Sequence, residues 1–428
     1  MSVDSRPQVS TLDNGSQLVF SELPYARSVS ISIYIRAGQR YEAAPADAGI
    51  SHFVEHLCFK GTERRPAPRH IAAEIDGLGG SINAATDREL TVYYGKVTPD
   101  RFAEALDLLV DMLRGSICGD EEIERERGVI LEELAGVEDA PDEHVSVLLD
   151  GLLWPGEPLG RDIAGAPQSI GALSAERLRG YYRDQYVSNS VVISIAGALP
   201  AGEAREQTTS AIAGWSAGEP ADWVRANDAP SGPGLRLLQK ETEQAHLALG
   251  LRGLDSRDED RHALALLSIV LGEGMSSRLF LRLREELGLC YDVHSAASYL
   301  RDTGAFSVHA GVDPANAVET VREIVSALAC LHSPIEAGEL ARAKQVVRSR
   351  IQLQLEDTRS VSAWHGSRLA LGLPLRQPEE AIAGFERVTL EDVERVARRL
   401  VRADRLQLAA IGPIADATAL EEALRIAD

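Results

Sequence analysis

Cysteine is scarce in this chain. Cys58, Cys118, Cys290 and Cys330 are the only four among 428 residues. Thiols so few and so widely spaced exclude a disulfide scaffold, and the lack of any CxxC pair excludes a thiolate zinc site. No apolar run reaches the roughly 18 residues of a membrane-crossing helix. The opening stretch MSVDSRPQVSTLDNGSQLVF has no basic segment followed by an apolar one, the mark of an export signal. Positive charge is also in short supply: 44 Lys and Arg stand against 65 Asp and Glu, a net −21. Such a field repels nucleic acid and anionic lipid and attracts cations and basic peptides. The expectation is a reduced, cytoplasmic protein with no membrane span and no nucleic-acid partner, its acidity hinting at basic peptides.

What is present is ordinary for a globular protein, with 44% hydrophobic and 25% charged residues. The length calls for two or more domains, each with a full core. An internal repeat explains it. SISIYIRAG (30–38) and AHLALGLRG (245–253) are alternating strands with the same Arg-to-Gly ending. VTPDRFAEALDLLVDML (97–113) and VDPANAVETVREIVSALACL (312–331) each read as a strand end, a turn with Pro, then an amphipathic helix. The offset is about 215 residues, roughly half the chain. Stretches 118–138 and 336–356 read as long charged helices, and 186–199 and 405–414 as matching late strands. The join falls in 214–234, rich in Gly, Pro, Ala and Asp. The fold class is therefore α+β: two homologous α/β sandwich domains, each an antiparallel-rich sheet covered by helices. The expected boundaries are 1–215, a linker 216–234, and 235–428.

Within GISHFVEHLCFKGT (49–62) stand His52, Glu55 and His56. On a helix, positions 52 and 56 are about 400° apart, which leaves about 40° between them, and Glu55 lies about 60° to the other side of His52. Two neutral imidazoles one turn apart can grip one zinc ion, and the carboxylate beside them can take a proton from attacking water. This is HxxEH, the inverted form of HExxH. With ten His in the chain, it arises by chance about 0.02 times. A catalytic zinc site has three protein ligands. EEIERERGVILEEL (121–134) offers Glu126 and Glu133, seven residues apart and on one helical face.

HFVEHLCFKGT, GGSINAATDRELTVYY and ERERGVILEEL together closely resemble the pitrilysin-type peptidases, most strongly the short two-domain branch that includes mitochondrial processing peptidase and its bacterial homologues. PLGRDIAGAPQSIGALSAERLRGYYRDQY (158–186) and SSRLFLRLREELGLCY (276–291) carry the same resemblance, which covers nearly the whole chain. It implies a clamshell-like zinc endopeptidase with one Zn2+ per chain, held by His52, His56 and Glu133, with Glu132 as the adjacent competitor and Glu126 supporting the ligand-bearing face. Glu55 is then the general base. Cys58 stands where the family commonly has an apolar residue such as Met and is expected to pack as a small hydrophobe. His70 is expected at a helix start or on the surface. The second copy lacks every ligand: a shift of 216 takes 52–56 to SIVLG (268–272), and a shift of 217 takes Glu133 to Arg350.

The stretch 77–94 opens on glycines that allow close backbone approach, then becomes a strand that is small and polar on one face. An edge of this kind can pair with an extended peptide. Gly79 and Gly80 enter it, and Asn83, Ala84 and Ala85 match the family's substrate-pairing strand. In the second copy Arg284 and Tyr291 match a pair that contacts bound peptide, and a Tyr hydroxyl can donate to a developing oxyanion. The resemblance also implies a two-chain particle, a homodimer or a heterodimer with a homologous chain, in which the pair acts in cis or in trans. The contrasting expectation is a non-catalytic core or partner subunit, against which the complete HxxEH counts.

Overall fold

The structure is a computed structural model that describes residues 6–227, 232–332 and 335–425. In chain order the first copy runs β1 (Gln8–Thr11), β2 (Gln17–Glu22), β3 (Val29–Ile35), α1 (Ile50–Leu57), α2 (Pro68–Gly77), β4 (Ser81–Thr86), β5 (Thr91–Val97), α3 (Phe102–Gly115), α4 (Asp120–Asp139), α5 (Pro141–Leu153), α6 (Pro167–Ala172), α7 (Ala175–Gln185), β6 (Val191–Gly197) and α8 (Ala201–Ala211). The second runs β7 (Gly234–Leu238), β8 (Ala245–Arg252), α9 (Arg261–Gly272), β9 (Cys290–Tyr299), β10 (Gly304–Val312), α10 (Ala317–Ala329), α11 (Ala337–Gln354), α12 (Thr358–Ala370), α13 (Pro378–Glu386), α14 (Leu390–Leu400), β11 (Gln407–Ile411) and α15 (Ala417–Ala423).

The repeat is visible in the sheets. The first has the order β1-β2-β6-β3-β5-β4, the second β7-β11-β8-β10-β9. Each contains one parallel pair, β2 with β6 and β7 with β11, and is otherwise antiparallel. The fold is mixed α/β, built as two units of the same plan.

The units differ from the expected halves. One takes the chain up to Leu134, Asp162–Val224 and Gln352–Gln377; the other takes Ala135–Arg161, Arg225–Ile351 and Pro378 onward. Two divisions fall inside α4 and α11, and the one between Val224 and Arg225 lies within the expected linker 216–234. The cause is a reciprocal exchange: α12, from the second copy, packs on β3 and β6, whereas α5, from the first, packs on β8 and β11.

Side-chain size explains the exchange. In β3, VSISIYI, every residue is buried despite the alternation of Ser with Ile. Ile31, Ile33 and Ile35 enter a core with Phe53 and Leu57 of α1 and Phe102, Leu106 and Leu113 of α3. The serine face lies under α12. Ser362 Oγ donates to Ser32 Oγ at 2.9 Å, and Ser194 Oγ to the Ser362 carbonyl at 2.7 Å. A Cβ on Gly366 would sit 2.4 Å from Tyr34 Cε2 and 2.6 Å from Ser194 Cβ, so only glycine allows this approach. In the second unit Leu149 of α5 fills the same kind of space over Gly250, and Val145 and Leu148 join it in a core with Ala248, Ala409 and Ile411.

Candidate metal centre

α1 starts from Gly49, which is left-handed at φ 87 and lies where Ala164 O leaves no room for a Cβ, so only glycine fits. The backbone N–H groups of Gly49 and Ser51 both donate to the carboxylate of buried Glu42, at 2.9 and 3.0 Å. An acidic group at a helix N-terminus satisfies donors that lack intrahelical partners. The apolar face of α1, Phe53, Val54 and Leu57, is fully buried, and Cys58 packs beside it as expected. That packing turns His52 and His56 toward α4, with ring centroids 4.6 Å apart.

α4 supplies the carboxylates. Ile123, Ile130 and Leu134 bury one stripe of it against the same core. Glu133 Oε2 lies 3.9 Å from His52 Nε2 and 3.7 Å from His56 Nε2. One ligand atom from each of the three lies within 4.8 Å of the others, and among the described residues this is the one such group of His, Cys, Asp or Glu. Of the two adjacent glutamates, Glu133 and not Glu132 joins it. Two turns back, Glu126 is buried and accepts from His56 Nδ1 at 3.2 Å; its other oxygen holds Lys60 Nζ at 2.8 Å. With the proton on Nδ1, the Nε2 lone pair of His56 is left for a metal.

Glu55 lies on the same helix, 8% exposed. Thr86 Oγ1 donates to its Oε2 at 2.5 Å. Burial pushes its carboxyl above the ordinary range, against the Thr86 hydrogen bond and the His56 charge, which pull it down. Burial, with the neighbouring His56, lowers His52 to about 4. His52 is thus neutral near pH 7 and able to act as a ligand.

β4 ends the first sheet, paired along one side with β5. Ser81, Asn83 and Ala85 are exposed on one face; Ile82, Ala84 and Thr86 face inward. Gly79 is left-handed at φ 64, and a Cβ on Gly80 would collide with Lys96 O at 2.3 Å. Arg284 and Tyr291 lie in the other unit and form a pair: the Arg284 guanidinium stands 4.3 Å from the Tyr291 ring centroid and donates to the Tyr291 carbonyl at 3.0 Å. The Tyr291 side chain is exposed. Arg284 sits in a π-helical segment, Phe280–Glu286, where an amphipathic α-helix is the simple reading of the sequence. His70 is exposed.

Three residues of this centre carry no signal in the sequence. Glu42, Lys60 and Thr86 act on α1 or α4 through contacts that no helical periodicity displays. Two of them lie in stretches singled out for other reasons, Lys60 in the HxxEH stretch 49–62 and Thr86 in the edge strand.

Comparison with known proteins identifies the family. The insulinase (peptidase family M16) profile matches residues 17–167, and the peptidase M16 inactive-domain profile matches 172–347. A Bacillus subtilis protein named uncharacterized zinc protease YmxG is 36% identical over 409 residues, 94% of this chain and 97% of that protein. The chain belongs to peptidase family M16. An uncharacterized zinc protease of Streptomyces coelicolor is also 36% identical, over 95% of this chain and 89% of its own. Among solved structures, a protease from Helicobacter pylori superposes with a TM-score of 0.90 at 22% identity, over 96% of this chain and 100% of that one. A peptidase M16 inactive domain from Pseudomonas fluorescens gives 0.88 at 19% identity, over 96% and 98%. These show the shared M16 fold. The inactive-domain profile begins after Glu133, and the copy it chiefly covers has no counterpart of the three grouped side chains among the described residues.

Proposed function

We propose that this M16 chain is a zinc-dependent endopeptidase that hydrolyses extended peptides and unfolded or presequence-like segments. The observation that carries the reading is the convergence of His52, His56 and Glu133 beside a buried, hydrogen-bonded Glu55. Two imidazole nitrogens and one carboxylate oxygen are a donor set of zinc hydrolases. Three electron-pair donors this close repel one another unless a cation lies between them, so the residues fit the metal. The names of the relatives as zinc proteases point the same way.

Zinc, when bound, supplies a Lewis acid for the scissile carbonyl and lowers the pKa of attacking water. The chain supplies the rest. Glu126 fixes the tautomer of His56. Glu55 takes the proton from the attacking water at its carboxylate and returns it to the leaving amine, and Thr86 holds that carboxylate in place. The β4 edge aligns the peptide by backbone pairing, with Gly80 letting the chain pass close to β5. Arg284 and Tyr291 contact the peptide, Tyr291 as a donor to its carbonyl oxygen.

Cleavage of a quenched unstructured peptide, followed after chelation and after return of Zn2+, tests the reading. Activity should disappear and come back; no cleavage of any peptide by the zinc-loaded chain would contradict it and favour a non-catalytic subunit. The proposed assembly is a homodimer or a heterodimer with a homologous chain. Mixing Glu55→Gln with Tyr291→Phe chains should restore activity if Tyr291 serves a partner's metal; no rescue in a mixture shown to exchange subunits would mean that it acts within its own chain or not at all.

A further inference from the structure

The exchanged helix α12 brings a cation onto the first sheet that no carboxylate of the described chain answers. Asp357 caps the helix, accepting from the backbone N–H groups of Arg359 and Ser360 at 3.1 and 3.2 Å, and its other oxygen is taken by Lys96 Nζ. Arg359, one residue into the helix, is exposed. Its guanidinium lies 3.5 Å from the centroid of the Tyr94 ring. Among the described residues it has no carboxylate within ion-pair distance, although the chain carries a large excess of acid.

The register places that cation beside the open edge. Tyr94 on β5 is directly opposite Asn83 on β4, and Lys96 is opposite Ser81. On the β4 face that continues from Tyr94 to the edge, the exposed side chains are Ser81, Asn83 and Ala85. A peptide paired to β4 would lie about 5 Å beyond it, roughly 10 Å from β5, and every second side chain would fall on the Asn83 face. An acidic side chain on that face and an arginine free to swing from its ring can span this gap and form a charge-assisted hydrogen bond.

We propose that Arg359 is a specificity-determining positioning residue, selecting peptides with an acidic side chain on the Asn83 face of the β4-bound strand. The inference rests on the peptidase reading and on β4 as its docking edge. It runs against the hint of basic substrates in the net charge. Salt screens distant charges over about 8–10 Å, so the nearest cation outweighs the chain total.

The test is a set of quenched peptides of one sequence in which Glu, Gln or Lys is stepped through successive positions. Two readouts are used: kcat and KM with the zinc-loaded wild type, and binding to the Glu55→Gln chain by fluorescence anisotropy. Wild type should favour Glu over Lys about five- to tenfold at alternate positions, chiefly through KM. Arg359→Lys should keep the preference, Arg359→Ala should abolish it, and Arg359→Glu should invert it, which loss of a structural role cannot do. The proposal is overturned if Arg359→Glu keeps the wild-type order, or if wild type shows no Glu preference at any position. A wild type that neither cleaves nor binds any of the peptides removes the peptidase reading itself, and this proposal with it.

Discussion

Replacing Glu126 by Gln should weaken zinc binding about 10- to 100-fold and leave the fold intact. Glu126 is 2% exposed and has two partners, His56 Nδ1 at 3.2 Å and Lys60 Nζ at 2.8 Å. Both partners donate. A carboxylate accepts from both, whereas an amide has one acceptor and must turn its NH2 toward the other donor. Glutamine therefore either releases Lys60 or stops orienting His56, and in both cases the carboxylate charge beside His56 is gone. Loss of such a partner typically costs 10- to 100-fold in metal affinity, or about 1.4–2.7 kcal/mol. The cost to folding is smaller: the Lys60 side chain is 27% exposed, so its ammonium can turn to water, and about 1 kcal/mol is expected. Competition for Zn2+ against a chromophoric chelator measures the first number, and urea unfolding of the metal-free chain the second. A zinc affinity within twofold of wild type would refute the orienting role. A loss as complete as that of His56→Ala would make Glu126 a ligand.

Other consequences are as direct. His56→Ala should remove nearly all bound zinc with the far-UV circular dichroism unchanged, and full zinc retention would overturn the ligand assignment. Gly366→Ala ought to destabilise the chain by about 1–3 kcal/mol in urea, through the clash with Tyr34 and Ser194, although the same change in an exposed helix gains about 1 kcal/mol; a stabilised variant would mean that α12 does not pack as described. His365, 3% exposed and set against Ser21 Oγ at 2.9 Å, is lowered by burial from the ordinary 6.5 to about 4. The unfolded chain then binds this proton first as pH falls, so the stabilising contribution is full above about pH 6.5 and is lost on the way to pH 4. The drop in unfolding free energy between pH 7 and pH 5 should shrink by about 1–2 kcal/mol in His365→Asn, and an unchanged drop would show that His365 carries none of it.

The parts legible in the sequence are those that local periodicity encodes. The 3–4 spacing of Phe102, Leu106, Leu109 and Leu113 reads directly as the buried stripe of α3. The i, i+4 spacing of His52 and His56 reads as one face of α1, and the repeat reads as two sheets of one plan. What escaped depends on contacts distant in sequence. Alternating Ser and Ile in β3 looks half-exposed, and nothing local says that a helix more than 320 residues away covers the serines. The join near residue 224 lies within the expected linker, but the exchange in which α5 and α12 each complete the sheet of the other copy has no local signal for the same reason. Glu42 and Thr86 look like ordinary polar residues, because their work is done on the first turn of α1 and on Glu55. The choice of Glu133 over Glu132 depends on the rotation of α4, which its strongly charged sequence leaves poorly defined.

The account stands on Glu55 acting as a base beside a metal held by His52, His56 and Glu133. The most direct measurement compares wild type and Glu55→Gln, each shown by elemental analysis to carry one zinc per chain, in cleavage of the same quenched, unstructured peptide. Wild type should cleave, and Glu55→Gln should cleave about 10²- to 10⁴-fold more slowly with its zinc retained. Equal rates for the two zinc-loaded chains, or loss of zinc from the variant, would contradict the account.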